Sequence, residues 1–205
     1  MSGMWGNKLK VSIFGESHGA GIGITIDGLP SGIEIDMEEV LKEMARRAPG
    51  KSKLSTARKE GDQPEILSGF FEGKTTGTPL CAVIRNSDQH SKDYGKLKDL
   101  MRPGHADYPG FIRYNGFNDY RGGGHFSGRI TAPLVFAGAV CKQILNIKGV
   151  NVGAHVKSIG TIYDKSFDEV ELTKELLDNL KINELPLLCS EKEEMMRNAI
   201  LEARS

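Results

Sequence analysis

LKVSIFGESHGAGIGITID, residues 9–27, carries two apolar alternations on either side of a glycine-rich connection. Leu9, Val11 and Ile13 alternate with Lys10 and Ser12, and Ile22, Ile24 and Ile26 alternate with Gly23 and Thr25. An apolar period of two predicts two strands, each with one face in a core. The connection between them, Gly15-Glu16-Ser17-His18-Gly19, must bring the strand ends together. That leaves His18 at the rim of a sheet, with glycines on either side and a ligand able to reach it. A histidine at a strand end is also compatible with a plain capping or surface role.

Further along, RPGHADYPGFIRYNGFNDYRGGGHFSGRITAP (102–133) is rich in glycine, arginine and polar residues and has almost no apolar periodicity. Three glycines in a row, Gly122, Gly123 and Gly124, lose much conformational freedom on folding, so something must require a close backbone there. Bare amides beside Arg121 and Arg129 suit an anion, because the N–H groups can converge without Cβ interference and guanidinium forks match phosphate oxygens. A phosphate ester is the first candidate. The next segment, 130–147, is apolar on nearly every side at its start, with Pro133 suited to a first helical turn. A polar loop feeding a buried helix lies at the edge of a core.

The rest of the chain reads as alternating short elements. Asp27–Gly32 is a turn, and Asp36 with Glu39 opens a helix carrying Met37, Val40, Leu41 and Met44. That helix ends at Arg46 and Arg47 before Pro49-Gly50. Basic residues favour helix C-termini, yet Lys51, Lys53, Arg58 and Lys59 continue the charge beyond what capping needs. Apolar runs at 65–71 and 78–85 predict a hairpin. Gly73-Lys74-Thr75 between them lacks the upstream glycine of a nucleotide-triphosphate loop, since Ser68 stands there. Val150, Val152, Ala154 and Val156 suggest a strand with His155 on its opposite face. Residues 168–180 and 190–203 suggest charged helices, the second opened by Ser190 and Glu193.

Composition narrows the class. The 205 residues carry 27 basic and 27 acidic side chains, a zero formal charge that argues against a nucleic-acid-coating protein. Cys81, Cys141 and Cys189 are far apart with no metal or disulfide spacing, and read as reduced, buried thiols of a cytoplasmic protein. The N-terminus shows no signal-peptide pattern, and no window is expected to reach the ~20 apolar residues of a membrane span.

Taken in order, FGESHG (14–19), DGLPSG (27–32), ILSGFFEGKTTGTP (66–79), RPGHADY (102–108) and DYRGGG (119–124) resemble the chorismate synthase family over essentially the whole chain. The resemblance implies an α+β fold, a sandwich of antiparallel β-layers around central helices, with residues 1–205 forming a single domain. It implies a lyase of the shikimate pathway that serves aromatic amino acid biosynthesis. The reaction is a 1,4-anti elimination of phosphate from 5-enolpyruvylshikimate 3-phosphate to give chorismate. The family's cofactor is reduced FMN, with NADPH as its reductant in some members, and the assembly is a homotetramer.

By the same resemblance, His18 protonates the departing phosphate and His105 acts beside the flavin. Arg47, Lys53, Arg58, Arg102 and Arg129 match substrate and phosphate contacts, Arg47 and Lys53 also match NADP contacts, and His125, Phe126 and Ser127 match the segment touching FMN. No metal ligand is implied. Two departures stand out: His125-Phe126-Ser127 replaces the family's Arg-Ser-Ser or Arg-Ser-Ala, and Lys53 stands where arginine is usual. The family's further flavin contacts, another substrate arginine and a catalytic aspartate lie in a C-terminal portion beyond these residues. The final helix has no stop signal, which reads as truncation, so the chain by itself is expected to bind and turn over poorly. Two other readings stay open: a metal-assisted hydrolase using His18, His105, Asp107 and His125, and a non-catalytic anion- or flavin-binding fragment.

Overall fold

A computed structural model describes residues 3–50, 61–87, 98 and 100–204. The chain divides into two compact units, one built from 1–50 and 57–143 and the other from 51–56 and 144–205.

The first unit is organised by an antiparallel sheet. Its strands are β1 (Met4–Trp5), β2 (Lys10–Gly15), β3 (Gly21–Asp27), β4 (Pro64–Ser68) and, after a small ribbon of β5 (Phe70–Phe71) and β6 (Lys74–Thr75), β7 (Leu80–Arg85). The order is β1-β2-β3-β7-β4. Register explains the burial: Ile22 faces Ile84, Ile24 faces Ala82 and Ile26 faces Leu80 across β3 and β7, and all six are buried. With a side-chain period of two, this sets one continuous apolar row on one sheet face. On the opposite face Phe14 lies over Gly23, its cross-strand partner, where a Cβ would meet the ring at 2.4 Å. The pairing of β4 with β7 confirms the expected hairpin, with a register shift between Ile66 and Ser68.

Helix α1 (Met37–Arg47) begins where the capping pattern places it, with Asp36 accepting from the N–H groups of Glu38 and Glu39 at 2.8 and 3.3 Å. Helix α3 (Thr131–Ile147) follows the short α2 (Asp107–Arg113), and Gln143 clasps both backbone groups of Asp36. Lys142 and Arg46 both bond Glu43; burial alone would raise that carboxyl, and these bonds hold it below its ordinary value. Val40 and Met44 of α1 and Ala132, Phe136 and Val140 of α3 belong to the buried core. Contrary to expectation, Gly128–Ile147 is long and apolar enough to cross a membrane by length and composition, with a mean hydropathy of 1.5. The core helix of a globular domain meets the same test, and this one has a fully buried Phe136.

The second unit corrects three readings. The Val150–Val156 alternation forms no strand; Val150 and Val152 are exposed, and β8 (Ser158–Ile159) pairs with β9 (Ile162–Tyr163) instead. Alternation needs a partner strand to become a strand, and none is offered here among the described residues. The helix expected from 168 is confined to α4 (Lys174–Leu180), capped by Thr173, and α5 (Glu193–Arg204) starts after a tight turn at Ser190–Lys192. The reciprocal capping box sits at Ser166 and Glu169, not at Ser190 and Glu193. His155 is packed on Phe167 at 4.3 Å and faces the buried carboxylate of Asp164 at 3.5 Å. All three cysteines are free and half-buried rather than buried, and burial pushes the Cys141 thiol up.

Candidate active site

The site belongs to the first unit and is built on the connection between β2 and β3. Ser17 and His18 are buried there, His18 at 6% exposure. The Ser17 N–H donates to the Gly124 carbonyl at 3.1 Å, tying this connection to the glycine triplet.

The triplet lies in a tight turn, Arg121–Phe126, with φ of +57° at Gly122, +83° at Gly123 and +53° at Gly124. Only glycine adopts three such angles in succession without steric cost. The neighbours supply a second reason. A Cβ on Gly122 would lie 2.3 Å from the His18 ring, and one on Gly124 2.0 Å from the Asp119 carbonyl. One on Gly123 would sit 3.7 Å from His105 and 3.8 Å from Arg102. Adjacent glycines thus bring together two imidazoles that are far apart in sequence, and the bare backbone first serves the packing of His18.

Each imidazole has a clamped aspartate nearby. Arg102 grips Asp107 through Nε at 2.8 Å, Nη2 at 3.0 Å and its backbone N–H at 3.0 Å, and His105 Nδ1 lies 4.0 Å from the same carboxylate. Arg121 grips Asp119 in the same three-bonded way, at 2.8–3.0 Å. The arginine bonds hold both carboxyls below their ordinary range, and the charges of His105 and His18 push in the same direction. Both aspartates therefore stay ionised at neutral pH, each with an imidazole in its neighbourhood.

Beside this turn is a cavity of about 490 Å³ lined by Phe14, Tyr114, Phe117, His125 and Phe126, with Glu16 and Asp119 at its polar side. Its size and its mixture of aromatic walls with a few polar groups suit a drug-sized planar ligand. His125 Nδ1 lies 2.9 Å from the Gly15 carbonyl. A carbonyl only accepts, so Nδ1 carries the proton. Phe126 packs on Gly110 and stands 6.2 Å from the Tyr114 ring. Ser127 is a cap, its Oγ accepting from the Arg129 N–H at 3.2 Å.

The remaining arginines occupy a different position. Arg129 is 4% exposed, its Nη1 bonded to Asp62 and its Nε to Asn86 at 3.0 Å. Arg47 reaches the other oxygen of Asp62 at 2.5 Å. Both therefore sit behind the His18 connection, on a buried carboxylate. Lys53 and Arg58 lie outside the described residues, as does the basic run around them. Sequence reasoning missed Asp62, Asn86, Asp119 and the aromatic pair Phe14 and Tyr114. The Asp119-Tyr120-Arg121 spacing was a usable signal, while Asp62 and Asn86 carry none outside their tertiary setting. Among the described residues, no group of three or more His, Cys, Asp and Glu is placed to hold a metal ion.

The sequence model of the family described as chorismate synthase matches residues 9–205. The chain belongs to the chorismate synthase family. A chorismate synthase from Sulfurimonas denitrificans is 47% identical over 201 residues, covering 98% of this chain and 54% of that protein. Another from Thermococcus kodakarensis is 50% identical over 159 residues, covering 78% of this chain and 44% of that protein. A crystal structure of chorismate synthase matches with a TM-score of 0.67 and 32% identity, covering 96% of this chain and 53% of that one. The α+β class with antiparallel sheets agrees with that fold. The chain spans about half the length of the chorismate synthases it matches.

Proposed function

We propose that these residues are the N-terminal part of a lyase that eliminates phosphate from 5-enolpyruvylshikimate 3-phosphate to give chorismate, with reduced FMN. The observation that carries the reading is the placement of His18 and His105 against Gly122 and Gly123, each with an arginine-clamped aspartate beside it. In this reading residues 1–205 form one domain of the family, since the family match runs through both units.

The residues present fit a flavin. Phe14, Tyr114, Phe117 and Phe126 offer apolar faces to a flat ring system, and His125, turned by Gly15, offers a polar edge. A reduced FMN held by these residues would supply the electron density that assists phosphate loss, with no net redox change. His18 donates its ring proton to the departing phosphate. General acid assistance of this kind is worth about 10²–10⁴ in rate. His105 has Nδ1 toward Asp107, which leaves Nε2 able to hold or release a proton on the side of Gly123. Arg102, held in plane by Asp107, presents charge to the anionic ligand beside Gly123.

The same proposal gives Lys53 and Arg58, which match the family's substrate contacts, to the anionic substrate and Lys53 to NADPH, whereas Arg47 and Arg129, matched to the same set, are held on Asp62 and support the site from behind. It places the whole protein in the cytoplasm as a homotetramer. The test is an anaerobic assay of this chain, and of a version extended by the family's C-terminal half, with chemically reduced FMN. Chorismate absorbance and stoichiometric phosphate release from the extended chain support the reading. Phosphate-ester binding without elimination in either version selects the non-catalytic alternative.

A further inference from the structure

We propose that Asn86 and Asp62 are positioning residues for His18, forming with Arg129 a hydrogen-bonded relay that fixes the connection between β2 and β3 from behind. The role given to His18 rests on the function proposed above; the relay itself is a matter of geometry.

Asn86 sits just after β7 and uses every part of its side chain. Its Nδ2 donates to the carbonyls of Glu16 at 3.0 Å and Gly19 at 2.9 Å, the two peptides that bracket Ser17 and His18. Its Oδ1 accepts from Arg129 Nε at 3.0 Å, and its backbone N–H donates to Ala20 at 3.3 Å. The amide cannot be turned the other way, because its oxygen would then face two carbonyls and its nitrogen a guanidinium. Arg129 also reaches the Arg85 carbonyl at 3.5 Å, so it is steered by the strand that leads into Asn86.

Asp62 anchors the far end. It is 2% exposed, and its two oxygens divide between Arg129 and Arg47. Its φ of +47° is unusual for a residue with a side chain. A conformation of that kind is strained and persists only where the surroundings over-determine it. Here they do, since a buried carboxylate between two guanidiniums has no cheaper orientation. The front of the same connection is held by Ser17 on Gly124 and by the His18 ring on Gly122. His18 is therefore clamped between a glycine turn and an asparagine amide.

Asn86→Asp separates this role from simple bulk. The substitution keeps size and strengthens the bond to Arg129, but it turns a carboxylate oxygen toward the Glu16 and Gly19 carbonyls. In the 205-residue chain, the ring C–H resonances of His18, assigned by their loss in His18→Ala, are expected to move in Asn86→Asp. Those of His155, held in the second unit by Asp164 and Phe167, are expected to stay. In the extended chain kcat is expected to fall about 10²-fold with KM changed far less, since a misplaced group loses rate more than affinity. If Asn86→Asp does not fold, Asp62→Asn carries the same measurement. His18 resonances that superimpose on the parent, or that move no more than those of His155, overturn the proposal. Resonances that respond while the extended chain shows no elimination activity uphold the relay and reject the catalytic reading of His18.

Discussion

His18 rests its imidazole on the bare Cα of Gly122, so closely that a Cβ there would lie 2.3 Å from two ring atoms. The ring is buried and cannot swing aside. Gly122→Ala therefore displaces the imidazole and also places a side chain at a φ of +57°. Expected outcomes are a loss of about 1–2 kcal/mol in urea unfolding and a drop of about 10²-fold in kcat of the extended chain. Gly128→Ala, where a Cβ would meet nothing within 4 Å, is the control and should leave both measurements near the parent values.

Asp62 gives the largest stability prediction. Removing a buried carboxylate between two guanidiniums leaves uncompensated charge, and Asp62→Ala is expected to cost about 3–5 kcal/mol. Asp178 bonds Lys174 and Lys181 at the surface, and its loss should stay within about 1 kcal/mol. Equal unfolding midpoints for the two variants in urea would contradict the burial assigned to Asp62.

Acid unfolding tests the two clamps. Arg102 and Arg121 hold Asp107 and Asp119 below the ordinary value of 3.8. A lowered carboxyl contributes stability that is complete above the unfolded value and is lost as pH falls through the folded one. Asp107→Asn and Asp119→Asn should thus lower stability at neutral pH and flatten its decline below about pH 4. A stability–pH profile with the parent's slope in that window speaks against the clamps.

Flavin binding tests the aromatic cavity. Phe126→Ala removes a wall that packs on Gly110 and Tyr114, and is expected to weaken FMN by about tenfold, the factor that ~1.4 kcal/mol represents. Quenching of flavin fluorescence measures it. An unchanged affinity would place the flavin elsewhere.

The strands at 10–15 and 21–27, the α1 helix with its Asp36 cap and the β4–β7 hairpin were legible because their signals are local: an alternation, a capping side chain, a turn rich in glycine. The failures share a cause too. Val150–Val156 has the right alternation but no partner strand among the described residues, and Ser190 has the right spacing to Glu193 but the wrong backbone. Gly122–Gly124 was read as a cradle for a ligand, and its closest demands come from His18 and Asp119.

The family, the class of fold and the short list of histidines and arginines could be read along the chain, because ordered motifs and residue chemistry are local. Which of them meet was settled by folding. It placed His18 and His105 on adjacent glycines, put Arg129 on Asp62 behind the site and gave Asn86 its two carbonyls. Those relations depend on burial and on contacts between residues far apart in the chain, such as Arg129 and Asp62, 67 positions apart, and Asn86 and Glu16, 70 apart. No local pattern encodes them, because the cost of an unpaired buried charge or amide is felt only after the chain has folded.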